Sequence, residues 1–252
     1  MRIAVLLSAG RHGVSGHPAP VPVELQAIRL ATELGGETTG LHAGPAIGPL
    51  HDTLGHGLPR LTHLHLAEND DPAPSLADAL REGAFDLVLA GRSGQGGEDA
   101  GLLPYVLART LGLPIVADAV ALAEGPQPGT LYVEQALPRG ARRRLVIRLP
   151  ALVTVHPAAP APLPFAFAAA RRGDVETRPG IAAEHTPSEM EERPYRPRPK
   201  LIAKTAGGAS AAERLKAATE SASGGGKLLV DPTPDDAARA ILAHLREIGV
   251  LA

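Results

Sequence analysis

Phe85-Asp86-Leu87-Val88-Leu89-Ala90-Gly91-Arg92-Ser93-Gly94-Gln95-Gly96-Gly97-Glu98-Asp99-Ala100-Gly101 is the stretch on which the fold turns. Residues 85–90 are short and nearly all apolar, the pattern of a central strand buried on both faces. A glycine-rich loop follows at once, and then a helix. Leu103, Val106, Leu107, Thr110 and Leu111 fall on one helical face, and Gly112 and Pro114 stop it. Strand, glycine loop and helix in that order predict a parallel α/β sheet, whose ligands sit beyond the carboxyl ends of the strands.

Working outward, the same alternation recurs upstream. Residues 2–8 read as a buried strand running into a Pro- and Gly-broken loop over 9–22. Ala27, Leu30, Ala31 and Leu34 mark a helix stopped by Gly35-Gly36. Strands are predicted over 38–43 and 61–66, with a weaker helix around 46–56 between them. Ser75, with Asp78 three residues on, predicts the cap of a further short helix. Downstream the pattern changes. Residues 115–123, 130–137, 142–149 and 151–156 all read as extended, which predicts a hairpin and one more central strand. Residues 171–200 are charged and Pro-rich, too poor in large apolar residues to build a core. At the end, Thr233-Pro234-Asp235-Asp236 starts a helix, with Ala238, Ile241, Leu242 and Leu245 on its apolar face. The expected fold is therefore α/β: a Rossmann-like parallel sheet with flanking helices, an added β-hairpin and an extended C-terminal arm ending in a helix. Residues 1–170 form the expected nucleotide-binding domain, and 171–252 the arm, packing on a partner subunit.

Composition narrows the chemistry. The chain has 252 residues, 44% hydrophobic and 21% charged, with 28 glycines, 25 prolines and no cysteine. Without cysteine there is no disulfide, thiolate metal site or cysteine nucleophile. Three Phe, three Tyr and no Trp provide no stacking platform for single-stranded nucleic acid. A net charge of −2 gives no general pull toward phosphate polymers. No apolar run approaches the roughly 20 residues of a membrane span. The apolar start, Met1 to Ser8, is cut short by Gly10, Arg11, His12 and Gly13, so it reads as a strand rather than a signal peptide. The expected compartment is the cytoplasm.

Residue by residue, loop 91–101 offers glycines that let a phosphate approach the backbone and a helix N-terminus that favours anions. It matches neither Gly-x-Gly-x-x-Gly nor a Walker loop, and no lysine follows the glycines, so a flexible surface loop is the other reading. Ser93, in Gly-Arg-Ser-Gly, lacks the spacing of a nucleophile elbow. His63 and His65 share a strand face near His51 and His56, but the spacing reveals no third ligand, and no metal is expected. Arg139, Arg142, Arg143, Arg144 and Arg148 suit an acidic partner, a phosphate or simply a solvated hairpin. No catalytic group is singled out.

Taken together, these segments resemble the β subunit of electron transfer flavoproteins over nearly the full chain. The resemblance is carried by Asp86-Leu-Val-Leu-Ala-Gly-Arg92 with its acidic glycine loop, by Leu111-Gly-Leu-Pro114, and by Arg144-Leu-Val-Ile-Arg-Leu-Pro-Ala-Leu-Val-Thr-Val-His156. It extends to a Pro/Ala segment, to Ala168-Ala-Ala-Arg-Arg172 and to Lys227–Gly249. More narrowly, Gln135-Ala-Leu-Pro-Arg-Gly-Ala-Arg-Arg-Arg-Leu145 and Ser223-Gly-Gly-Gly-Lys227 resemble a bacterial subgroup serving demethylation of methylated amines such as dimethylglycine.

The resemblance implies a heterodimer with an α subunit that binds most of the FAD. Electrons would enter from a flavin dehydrogenase or demethylase and leave to a quinone oxidoreductase, the chain being non-catalytic on its own. It implies a structural AMP, or in bifurcating members a second FAD in its place. The implied nucleotide-binding residues are Leu6, Leu7 and Ser8; His17 and Pro18, in a stretch running to Pro20; Ala43 and Gly44; and Gly96, Gly97, Glu98, Asp99, Ala100, Gly101, Leu102 and Leu103. Asp99 matches the family's loop aspartate. The family's polar Asn-Gln-Thr-Gly is here Gly101-Leu-Leu-Pro104, which leaves main-chain amides to hold a phosphate. The implied partner-recognition residues are Leu163, Phe165, Phe167, Arg171 and Arg172. A stand-alone adenine-nucleotide-binding module is the competing reading, and the helix-tipped arm is what it fails to explain.

Overall fold

The computed structural model describes residues 1–68, 70–94, 101–182 and 229–247. The chain divides into two compact units, Met1–Ser188 and Glu189–Ala252. In the first unit the strands are β1 (Arg2–Leu6), β2 (Glu37–Gly44), β3 (Arg60–His65), β4 (Leu87–Gly91), β5 (Ile115–Glu124), β6 (Thr130–Ala136), β7 (Arg142–Arg148), β8 (Ala151–Val155) and β9 (Asp174–Pro179). The helices are α1 (Pro22–Glu33), α2 (His51–Gly55), α3 (Pro72–Gly83), α4 (Leu103–Leu111) and α5 (Phe167–Arg172). Helix α6 (Pro234–Glu247) belongs to the second unit.

All the strands join one sheet, in the order β7-β6-β5-β8-β4-β1-β2-β3-β9. Pairing is parallel from β5 through β9 and antiparallel across β5-β6-β7. The expected hairpin is β6–β7, and the expected extra central strand is β8, which enters between β4 and β5 with all its residues buried. Strand β1 shows how two cores arise from one period-2 pattern. Ile3 and Val5 face one side, clustering with Val23, Ile28, Leu54 and Leu58 of the α1–α2 layer. Ala4 and Leu6 face the other, clustering with Leu76, Leu80 and Leu107 of α3 and α4. Helices on both faces make β4 and β8 continuous apolar runs rather than alternating ones.

Three local expectations are corrected. Helix α3 begins earlier than Ser75: Pro72 holds the first helical position and Asp71 is the N-cap, its carboxylate accepting the Ala73 N–H at 2.9 Å. Ser75 instead lies buried inside the helix, where its hydroxyl accepts the Ile181 N–H at 2.8 Å. Residues 174–179 do not stand apart from the sheet. They pair with β3 as its edge strand, because a ladder needs backbone groups rather than large apolar side chains, and Val175 adds a contact to the core. On α4 the buried side is Pro104, Leu107 and Ala108, and Val106 is exposed. The predicted start of α6 holds: the Thr233 hydroxyl donates to Asp236 Oδ2 at 2.6 Å, and the Asp236 N–H reaches Thr233 Oγ1 at 3.3 Å.

Candidate functional site

The strand order reverses at β1. The chain runs β1-β2-β3 toward one edge, then returns to place β4 on the other side of β1. Connections leave β1 and β4 in opposite directions, which opens a crevice beyond their carboxyl ends. Ser8 leaves β1 there, Arg92, Ser93 and Gly94 leave β4, and α1 begins. Glu24, in the first turn of α1, is 3% exposed. Its Oε2 accepts the Ser8 N–H at 2.8 Å, and its Oε1 meets the Ser8 hydroxyl in a short contact. Burial pushes the Glu24 carboxyl up to about 8, against the two Ser8 hydrogen bonds that oppose the shift.

Close approach explains the glycines at this point. A Cβ on Gly91 would lie 2.8 Å from Val23 Cγ1 and 3.0 Å from the Ser93 carbonyl oxygen. A Cβ on Gly94 would lie 3.2 Å from Ser8 Oγ. Gly101, at φ +67°, lies so close to Arg92 that a Cβ would stand 2.7 Å from its carbonyl oxygen. One described end of the loop therefore packs on Ser8 beyond β1, and the other packs on Arg92 at the end of β4. Arg92 lies 3.5 Å from Asp118, which occupies a left-handed conformation (φ 60°) at the bulge in β5.

Beside this junction is an open cavity of about 430 Å³, lined by Val21–Val23, Gln26, Ser93, Pro157, Ala161 and Pro162. Apart from Gln26 and Ser93 the lining is apolar, and it contains no titratable side chain. Val21, as N-cap of α1, supplies no capping oxygen, and Pro22 has no N–H. The first turn of α1 thus presents a dipole and a backbone N–H without a side-chain cap, a setting that favours an anion. Apolar walls, close-packed glycine backbone and a helix N-terminus together suit a ligand with an apolar body and an anionic group.

None of the predicted nucleotide residues within the described part of the chain lines the cavity. Leu6, Leu7 and Ser8 lie at the end of β1, and Ala43 and Gly44 at the end of β2. The two ends are tied by Leu7 N–H donating to the Leu41 carbonyl at 2.9 Å. His17 and Pro18 lie in an exposed hairpin bridged through Arg11 and Pro18, and the cavity lining begins later, at Val21. Gly101, Leu102 and Leu103 lead into α4, with Leu102 exposed. Gly96, Gly97, Glu98, Asp99 and Ala100 lie outside the described residues.

The histidines are structural in their contacts. His42 Nδ1 lies 2.9 Å from the Leu7 carbonyl and Nε2 3.1 Å from that of Ala46, and burial holds its pKa below the ordinary imidazole value. His63 stacks on His42 and lies 2.8 Å through Nε2 from the Gly44 carbonyl. Among the described residues no group of three ligands could hold a metal ion. The arginines of β7 pair across the hairpin: Arg144 with Glu134 at 2.8 Å and Arg143 with Gln135 at 2.7 Å.

Of the predicted partner-recognition residues, Phe165 is 47% exposed, its ring seated on Gly55 and edge-on to His56. Phe167 opens α5 and is 70% exposed. Arg171 and Arg172 close the same helix and are exposed.

Residues 11–182 match the family model described as the electron transfer flavoprotein domain. The chain belongs to the electron transfer flavoprotein family. A curated relative from Chromohalobacter salexigens, named electron transfer flavoprotein subunit beta, is 41% identical, the match covering 100% of this chain and 96% of the relative. In an electron transfer flavoprotein the redox chemistry belongs to flavin, and the protein contributes binding, orientation and electrostatics.

Glu24 and Gln26 were missed in the sequence reading. The available signal was a polar pair inside the apolar start of α1, Val23-Glu24-Leu25-Gln26-Ala27, where an acid reads simply as complementing the helix dipole.

Proposed function

We propose that this chain is the β subunit of a heterodimeric electron transfer flavoprotein. Its full-length identity to a relative of that name carries the reading, and the switch-point crevice supports it. On this reading the α subunit holds most of the FAD, which takes up and releases electrons. The crevice between Ser8, Val21–Val23, Gln26 and Ser93 holds an adenine nucleotide, AMP or a second FAD in its place. The aromatic tip at Phe165 and Phe167 meets the redox partners: a flavin dehydrogenase or demethylase, such as one oxidising methylated amines, as donor, and a quinone oxidoreductase as acceptor. The chain itself breaks and makes no covalent bond, and it works in the cytoplasm. Among the described residues no helix is long and apolar enough to cross a membrane.

The test is stoichiometry. The chain is co-purified with its α subunit, and flavin and AMP are measured per heterodimer. One FAD and one AMP support the proposal as stated. Two FAD and no AMP assign the crevice to the second flavin. A stable, colourless monomer that binds ATP and ignores the α subunit overturns it.

A further inference from the structure

The segment joining β8 to α5 opens in a turn, closed by the Ala159 N–H donating to the His156 carbonyl at 2.9 Å, and then runs on as a strap that belongs to no strand. Residues 156–166 run His-Pro-Ala-Ala-Pro-Ala-Pro-Leu-Pro-Phe-Ala. Pro157, Pro160, Pro162 and Pro164 have no N–H, so the strap cannot complete a ladder. Its carbonyls still need donors. From Pro157 to Leu163 they find them at alternate positions, and each of these donors is a side chain. Gln26 Nε2 donates to the Pro157 carbonyl at 3.1 Å and to that of Ala159 at 2.7 Å. Arg29 Nη1 donates to the Ala161 carbonyl at 2.7 Å. His56 Nδ1 donates to the Leu163 carbonyl at 2.6 Å. A backbone bond then ends the series, with Ala166 N–H donating to the Gly55 carbonyl at 2.8 Å.

The spacing explains why three side chains suffice. The turn brings the Pro157 and Ala159 carbonyls to Gln26. Beyond it, carbonyls two residues apart on an extended chain point the same way, which puts those of Ala161 and Leu163 toward Arg29 of α1 and His56, the C-cap of α2. Gln26 and Arg29 are three apart on α1 and neighbour each other on one helical face. Arg29 is steadied by Glu33 at 2.8 Å. The far end of the strap is seated by shape. A Cβ on Gly55 would stand 2.2 Å from Phe165 Cε2, and one on Gly57, at φ +98°, would stand 2.8 Å from Leu163 Cδ1. With Leu163 and Phe165 seated in this way, the chain enters α5 with Phe167 outward.

We propose that Gln26, Arg29 and His56 are positioning residues for partner docking. They hold the strap 157–163 and so fix where the Phe165–Phe167 tip stands. The inference rests on the reading that this tip meets the redox partner. None of the three side chains needs to touch that partner. They act on it through the strap, by sparing the complex the cost of ordering the tip on binding.

The chain contains only three phenylalanines, which makes the test direct. The full chain is labelled with 4-fluorophenylalanine, combined with unlabelled α subunit and read by fluorine NMR. Phe85, stacked under Arg2 at the opposite end of β4, is the internal reference. Arg29→Ala and His56→Ala should shift or broaden the Phe165 and Phe167 resonances and leave Phe85 in place, and Arg29→Lys should restore them in part. With a purified flavin dehydrogenase that reduces the wild-type heterodimer as probe, both alanine variants should raise KM for the heterodimer at least about threefold with kcat unchanged. Wild-type resonances in the variants overturn the proposal. So does movement of all three resonances together, which would mean a general loss of structure. The underlying reading fails separately, if Phe167→Ala leaves KM and kcat for that dehydrogenase at wild-type values.

Discussion

Glu24→Gln should remove a pH dependence of stability that the wild-type chain carries. The carboxyl has an ordinary value of 4.5 and is pushed up to about 8 by burial in the fold. Between those two values the folded chain keeps a proton that the unfolded chain releases. Stability is therefore complete below about 4.5 and falls as the pH rises toward 8, at about 1.4 kcal/mol per unit. That amounts to about 3 kcal/mol at pH 7 and on the order of 5 kcal/mol at pH 8. Glutamine has nearly the same shape and cannot ionise. Its amide oxygen can accept the Ser8 N–H, and its NH2 can donate to Ser8 Oγ, reproducing the contacts of a protonated carboxyl. Urea unfolding of both proteins from pH 5 to 9 checks this. The two should be nearly equal at pH 5, with the variant gaining the advantage steadily as the pH rises. Parallel curves across that range would refute the assignment of the shift to a buried, solvent-excluded Glu24.

Gly55→Ala should unseat the Phe165 ring and cost about 1–3 kcal/mol in thermal unfolding, because the new methyl would overlap the ring at 2.2 Å. Leu89→Ala, at a fully buried position in the middle of β4, should cost about 3–5 kcal/mol in urea unfolding. Truncation at residue 230 should weaken association with the α subunit, since α6 carries the exposed Ile241 and Leu242 on its apolar face. An unchanged dissociation constant in analytical ultracentrifugation would show that α6 docks elsewhere.

The sheet was legible because its signals are local. The run at 87–90 is apolar on both faces, and helices do cover both faces of β4. The turn residues at 125–129 and 138–140 pointed to a hairpin there, and β5 extends it to an antiparallel run β5-β6-β7. Errors came where several residues competed for one role. Asp71, Pro72 and Ser75 are all helix-start residues, and proline at the first helical position decided for Asp71. Strand β9 was illegible because its pairing is made by backbone, and Asp174-Val-Glu-Thr-Arg-Pro179 has almost no apolar content to advertise it. In the candidate site, glycines 91, 94 and 101 stood out in the sequence. Glu24 did not, because its meaning lies in a contact with Ser8, 16 residues away. The strap donors are further still from their acceptors, 107 to 133 residues apart, and no spacing rule reaches that far.

The excess of proline and alanine in residues 157–164 can now be given a cause. An ordinary extended segment at this place would carry a row of N–H groups and could add to a sheet edge, its own or another molecule's. Prolines at 157, 160, 162 and 164 remove four of those donors. What remains is a row of carbonyls that only donors can satisfy, and the donors within reach are the side chains of Gln26 and Arg29 on α1 and of His56, the C-cap of α2. The strap is thereby committed to one seat. Gln26, Pro157, Ala161 and Pro162 also line the cavity beside the start of α1, so the wall of that cavity and the support of the Phe165 ring are one element. The strap thus meets two demands at once: it walls one side of the cavity, and it seats the Phe165 ring on Gly55 beside His56.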